Sequence, residues 1–132
     1  MNKEDYEKYI EGFYDVNPEE LDEELVRTVK AFFTFSVLTG DSYIEQLIAK
    51  DHIKKVSAQA FLAAKADGAT DNKAKECVHV APTVIDAKKD FFDKLKVWEE
   101  YKAQKETTVM KKDSLVQMGF NRKVDANIEN HT

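Results

Sequence analysis

Cations are the side chains here with most chemistry to offer, and several come in pairs: Lys54-Lys55, Lys111-Lys112 and Arg122-Lys123. Lys102, Lys105, Lys112 and Arg122 are spaced to form one basic strip, with Trp98 and Tyr101 beside it. Such a strip can follow a phosphate backbone, while an exposed aromatic ring stacks on unpaired bases. A plainer reading exists for each feature. Trp98 falls on an apolar stripe that suits a core or an interface, and Lys111-Lys112 near a helix end complements the helix dipole.

Catalytic groups are sparse. His52, His79 and His131 lie far apart without metal-ligand spacing. Cys77-Val78-His79 falls short of the three or four ligands zinc takes, and Cys77 reads as a small apolar contact. The run Asp67-Gly68-Ala69-Thr70-Asp71-Asn72 lacks the alternating acids and closing glutamate of a calcium loop. No glycine loop cradles a phosphate. The expectation is a protein that is not an enzyme and needs neither cofactor nor metal.

The elements that position the lysines are helical. Residues 3–14 show a short amphipathic pattern through Tyr6, Ile10 and Phe13 or Tyr14, and residues 1–16 are read as an acidic N-terminal helix. Asn17-Pro18-Glu19-Glu20 then has the N-cap, first-turn proline and N3 acid of a capping box, opening a run over 17–66. Apolar residues recur there from Leu21 to Ala63 at helical spacing, with a break or kink expected near Gly40, where Asp41 or Ser42 could cap a restart. Residues 67–81 form a connection in which Thr70 caps a short helix or Cys77–Val80 alternates as a strand.

The long helix comes last, over 82–119, with Thr83 as its N-cap. Its stripe holds Val84, Phe91, Leu95, Trp98, Val109, Leu115 and Met118, interrupted by Lys102 and Lys105. Gly119 suits a left-handed stop with Phe120 folded back on Leu115, leaving 120–132 as a polar, fraying tail. At about 1.5 Å per residue this helix spans roughly 50 Å, more than a compact domain of this size. It therefore needs a partner along its length. Phe91, Leu95, Trp98, Val109, Leu115, Met118 and Phe120 are the candidate oligomer interface.

With 132 residues there is room for one domain, residues 1–132, of all-α class: a long helical hairpin with an N-terminal helix, assembling as a bundle or ring. No apolar run of membrane-spanning length or secretory signal is visible, and one cysteine suits a reducing cytoplasm. The net charge of −5 is unevenly spread. Residues 1–25 carry −8, residues 26–132 carry +3 and residues 102–123 carry +4. Such asymmetry permits an acidic end facing proteins and a basic end facing phosphates.

The order of these pieces resembles a known family. A helical run with Lys54-Lys55-Val56 ends near Leu62, a loop follows with Asp67-Gly68, and the long helix closes on Lys112-Asp113-Ser114-Leu115-Val116-Gln117-Met118-Gly119-Phe120-Asn121-Arg122-Lys123. This is similar to the UvsY-type recombination mediators of tailed phages, loosely over residues 20–125. The resemblance implies a factor that binds single-stranded DNA and forms a ring. It would help a RecA-like recombinase displace single-strand-binding protein, in the host cytoplasm if phage-encoded. By position it nominates Lys54, Lys55 and Lys65 as phosphate contacts, beside the strip of Lys102, Lys105, Lys111, Lys112, Arg122 and Lys123. T-even members carry further basic residues after Lys-Lys-Val, where this chain has Gln59 and Phe61. The alternative is a helical assembly or chaperone-like protein whose charges only keep it dissolved.

Overall fold

The structure, a computed structural model, describes Glu4 and residues 20–131, with side chains placed as far as Glu129. The expected helix over 1–16 and the Asn17 capping box lie outside the described residues. From residue 20 onward the protein is all-α, with no strand among the described residues. Its helices are α1 (Leu21–Ala66), α2 (Asp71–Val80) and α3 (Pro82–His131). None is long and apolar enough to cross a membrane.

Helix α1 does not break at Gly40. Glycine costs about 1 kcal/mol inside a helix, but packing over many turns on either side outweighs that. Ser42, a candidate cap for a restart, instead sends its hydroxyl back to the Thr39 carbonyl at 3.1 Å, a bond made within a continuing helix. The left-handed glycine stop occurs at the end of α1. Gly68 has φ 92°, its N–H donates to the Lys65 carbonyl at 3.0 Å, and the Ala69 N–H donates to the Ala64 carbonyl at 3.0 Å.

Thr70 caps α2, accepting from the Lys73 N–H at 3.3 Å, so residues 77–80 are helical and the strand reading fails. Ala81 ends α2 and its carbonyl accepts from the N–H groups of Val84 and Ile85. Pro82 is thus the first residue of α3, and Thr83 lies inside the helix it was expected to cap. At the far end Gly119 is not a stop, because α3 runs on to His131 and no positive φ occurs there. A Cβ on Gly119 would lie 3.4 Å from Leu21 Cδ2, an ordinary van der Waals contact, so a side chain is accommodated there. Phe120 accordingly points outward, 60% exposed, and does not cover Leu115.

The chain divides into two compact units. In unit 1 (residues 1–35 and 103–132), α1 and α3 segments run antiparallel. The buried residues are Glu24, Thr28, Ala31 and Phe35 on α1 and Thr108, Lys111 and Leu115 on α3. Thr28 and Thr108 satisfy their hydroxyls on their own helices, with bonds to the carbonyls of Glu24 (2.7 Å) and Lys105 (2.6 Å). Val109, expected on the inner stripe, is partly exposed, because Thr108 takes the inner position. In unit 2 (Ser36–Lys102) the buried residues are Ser42, Ala49 and Val56 on α1, Ala74 on α2, and Val84 and Ala87 on α3. Val56, Val84 and Ala87 form its core, with Ile53, Ala60, Val78 and Ala81 packed against them.

Candidate nucleic-acid interface

Of the expected C-terminal cations, Lys102, Lys112, Arg122 and Lys123 are exposed, while Lys111 is taken into the fold. Lys111 is only 8% exposed, and its Nζ lies 3.5 Å from a carboxylate oxygen of Glu24, itself buried. Arg27 holds the same carboxylate at 2.6 and 2.8 Å. Lys111 is therefore a structural cation, corrected here from its place among the phosphate contacts. Helical periodicity shows why: positions 108, 111 and 115 share one face, and that face is turned inward. Lys105 is half-buried with its Nζ 5.7 Å from the Phe32 ring centroid. Lys112 pairs with Asp113 at 3.4 Å. Arg122 and Lys123 are exposed, but they share an open groove of about 720 Å³ with Glu20, Asp22 and Glu23. Three carboxylates there offset attraction to another polyanion.

Unit 2 arranges its charges differently. Tyr43 and Trp98 touch, with ring centroids 5.7 Å apart, and Lys102 Nζ stands 5.2 Å from the Trp98 ring centroid. These contacts define one side of the antiparallel pair. Along α1 from Tyr43, residues seven and eleven positions on return to the same side at 3.6 residues per turn, and these are Lys50 and Lys54. Along α3, Lys88 lies fourteen residues before Lys102 and also returns to its side. All four lysines are exposed, and the acids nearest their side are Glu99 and Asp51, each about 60° round its helix from Lys102 and Lys54 respectively. Lys55, one position past Lys54, is turned about 100° away onto the outer face of α1.

Lys65 is occupied otherwise, bridging to Asp71 at 2.7 Å. That hydrogen bond and the lysine charge hold the Asp71 carboxyl below the usual aspartate range. The adjacent pair Lys54-Lys55 was legible as charge, but which member lies on the same side of the helix as Tyr43 was not. Lys50 and Lys88 were missed, because neither belongs to a run and the signal lies in heptad spacing across two helices.

Of the expected interface residues, Phe91, Leu95, Trp98 and Met118 are half-buried, while Leu115, 1% exposed, is already covered within its own chain. Val109 and Phe120 remain open to solvent. Cys77 is exposed and free, not the packed contact expected of it. No cluster of three or more metal-ligating side chains occurs among the described residues.

These features define an all-α protein of paired long helices with a cationic, aromatic-bearing side on unit 2. Set against protein-family models, curated proteins and solved structures, the chain matches none of them.

Proposed function

We propose that this protein is a non-enzymatic accessory factor of homologous recombination. It binds single-stranded DNA and helps a RecA-like recombinase replace single-strand-binding protein, in the manner of UvsY-type mediators. The observation carrying this reading is the side of unit 2 on which Lys50, Lys54 and Lys88 fall in line with Tyr43, Trp98 and Lys102, the last of these standing over the Trp98 ring. Cations in a row offer phosphates a path, and neighbouring rings offer bases a surface to stack on, the combination that sequence-tolerant single-strand binding uses. A few lysines bind weakly in one subunit. Repetition of the same side in a homo-oligomer, a ring in the family resembled, multiplies affinity without new contacts.

The test is titration with labelled oligo-dT at several salt concentrations. Binding is expected to weaken steeply with salt, and Lys50→Glu with Lys54→Glu and Lys88→Glu should remove most of it. Trp98 is the only tryptophan, so its fluorescence should change as DNA binds. Lys111→Glu is unsuitable for this purpose, since it puts a second acid against buried Glu24 and disturbs the fold. Unchanged oligo-dT affinity in the triple variant would remove unit 2 as the DNA site. The same oligomer without DNA affinity at any salt would favour the assembly-protein alternative.

A further inference from the structure

Unit 1 leaves a groove along one side of its helix pair, lined mostly by apolar residues. Counting about 100° per residue from buried Thr28, the side chains of Leu21, Phe32, Leu25 and Val29 stand between about 20° and 100° round α1. Counting likewise from buried Thr108 on antiparallel α3, Val116 and Val109 stand about 80° and 100° round, on the same side. Within the groove an apolar cavity of about 170 Å³ lies between Val29, Phe32, Phe33 and Val109. Thr28 and Thr108 also line it, but their hydroxyls already donate to carbonyls of their own helices, so neither needs a polar guest. Lys105, Lys112 and Lys123 stand on the same side of α3, about 40–60° from Thr108. The acids Glu106 and Asp113 on α3, and Asp22 on α1, lie farther out, at about 120–160°. Such a groove suits an apolar helix face carried among acids.

The chain carries such a face itself. Residues 3–14, outside the described residues, repeat Tyr6, Ile10 and Phe13 at helical spacing. Around them residues 1–19 hold Glu4, Asp5, Glu7, Glu11, Asp15 and Glu19 against Lys3 and Lys8. A helix of that segment is about 18 Å long, and the groove from Leu21 to Phe32 is about 16 Å long at the same rise per residue. Residues 15–19 join the two and contain Asn17-Pro18, a pair that favours a turn. Residues 1–19 also belong to the compact unit that holds the groove. We propose that residues 3–14 fold back antiparallel to α1 and dock in this groove, with Tyr6 level with Val29 and Ile10 level with Leu25. Docking takes Val29 and Phe32 out of water and brings the acids of the segment into the field of Lys105, Lys112 and Lys123. A second copy could match the groove in length and polarity, but the chain's own segment is also tethered at the groove's end, which raises its effective concentration there.

Cross-linking of the full chain tests this. Cys77, the only cysteine, is first changed to Ser. Tyr6→Cys with Val29→Cys should then be joined by a short bismaleimide within one chain, giving a product of monomer mass under denaturing conditions. Tyr6→Cys with Thr34→Cys, about 240° round α1 from Thr28, should not be joined. Products of dimer mass would put the segment of a second copy in the groove, and no link at all would leave the groove without this occupant. Either result overturns the proposal. Ile10→Asp gives an independent reading, since it leaves the groove intact and spoils the face that fills it. Amide hydrogen exchange over residues 25–33 and 108–116 should quicken severalfold while helical circular dichroism is retained. Exchange there at the wild-type rate also overturns the proposal. Neither readout uses nucleic acid or alters Lys50, Lys54, Lys88 or Lys102, so failure here is separable from failure of the DNA reading.

Discussion

Both units set a segment of α1 against a segment of α3, yet they close the gap with different materials. Unit 2 uses small apolar side chains, Ala49, Val56, Val84 and Ala87, with Ser42 turned back on its own helix. Unit 1 puts two threonines and an ion cluster of Glu24, Arg27 and Lys111 between Ala31, Phe35 and Leu115. Small apolar contacts specify closeness but little else, and many registers satisfy them. A buried carboxylate held by two cations tolerates few arrangements, because losing a partner leaves charge stranded away from water. Unit 1 thus fixes its helix register through charge, while unit 2 keeps its lysines on the surface.

Removing Glu24 should show that contrast at its largest. Glu24→Ala leaves Lys111 buried without its carboxylate and should cost about 3 kcal/mol in urea denaturation. Hydrogen exchange should accelerate first in residues 20–35 and 103–129. Glu24→Leu with Lys111→Met should recover most of the loss, since two apolar groups of similar size need no counter-charge. If the pair of substitutions is as damaging as the single one, shape and not charge holds unit 1 together.

Cavity-forming changes come next. Leu115→Ala in unit 1 should cost about 3 kcal/mol and Val84→Ala in unit 2 about 2 kcal/mol, as both side chains are essentially inaccessible to solvent. Equal and small losses in denaturant midpoints would mean that neither core is tightly packed.

Smaller effects separate the two mid-helix glycines. Nothing lies within 4 Å of a Cβ built on Gly40, so Gly40→Ala should stabilise the dilute chain by about 0.5–1 kcal/mol. Gly119→Ala should gain at least as much, because its methyl adds an ordinary contact with Leu21 Cδ2 at 3.4 Å to the same helix preference. Thermal melts of both variants would rank them, and a Gly119→Ala chain less stable than wild type would contradict the contact described for Gly119.

The slightest change concerns Asp71. Its carboxyl is held low by Lys65, so the pair's contribution is present above the unfolded aspartate's titration and fades as pH falls through the folded one. Lys65→Ala should move the Asp71 midpoint upward in a carbon-detected NMR titration and leave neutral-pH stability nearly unchanged, because the pair is exposed.

Much of the fold was legible because helical periodicity is local. The all-α class, the Thr70 cap and the end of α1 at Asp67-Gly68 each follow from a few neighbouring residues. The breaks expected at Gly40 and Gly119 misled because a local cost near 1 kcal/mol was set against no knowledge of the packing that outweighs it. For the same reason Lys111 read as a solvated cation: nothing in residues 105–117 announces that Glu24 waits across the helix pair.

Residue order alone determined that this chain forms few, long helices and carries its acids early and its cations later. Those properties depend on composition and on intervals of three, four and seven, which any stretch carries with it. Folding decided which lysine is walled in, which pairs with an acid and which stands beside Trp98. That choice depends on the rotation of one helix against another, and a shift of a single residue, about 100°, separates Lys54 from Lys55.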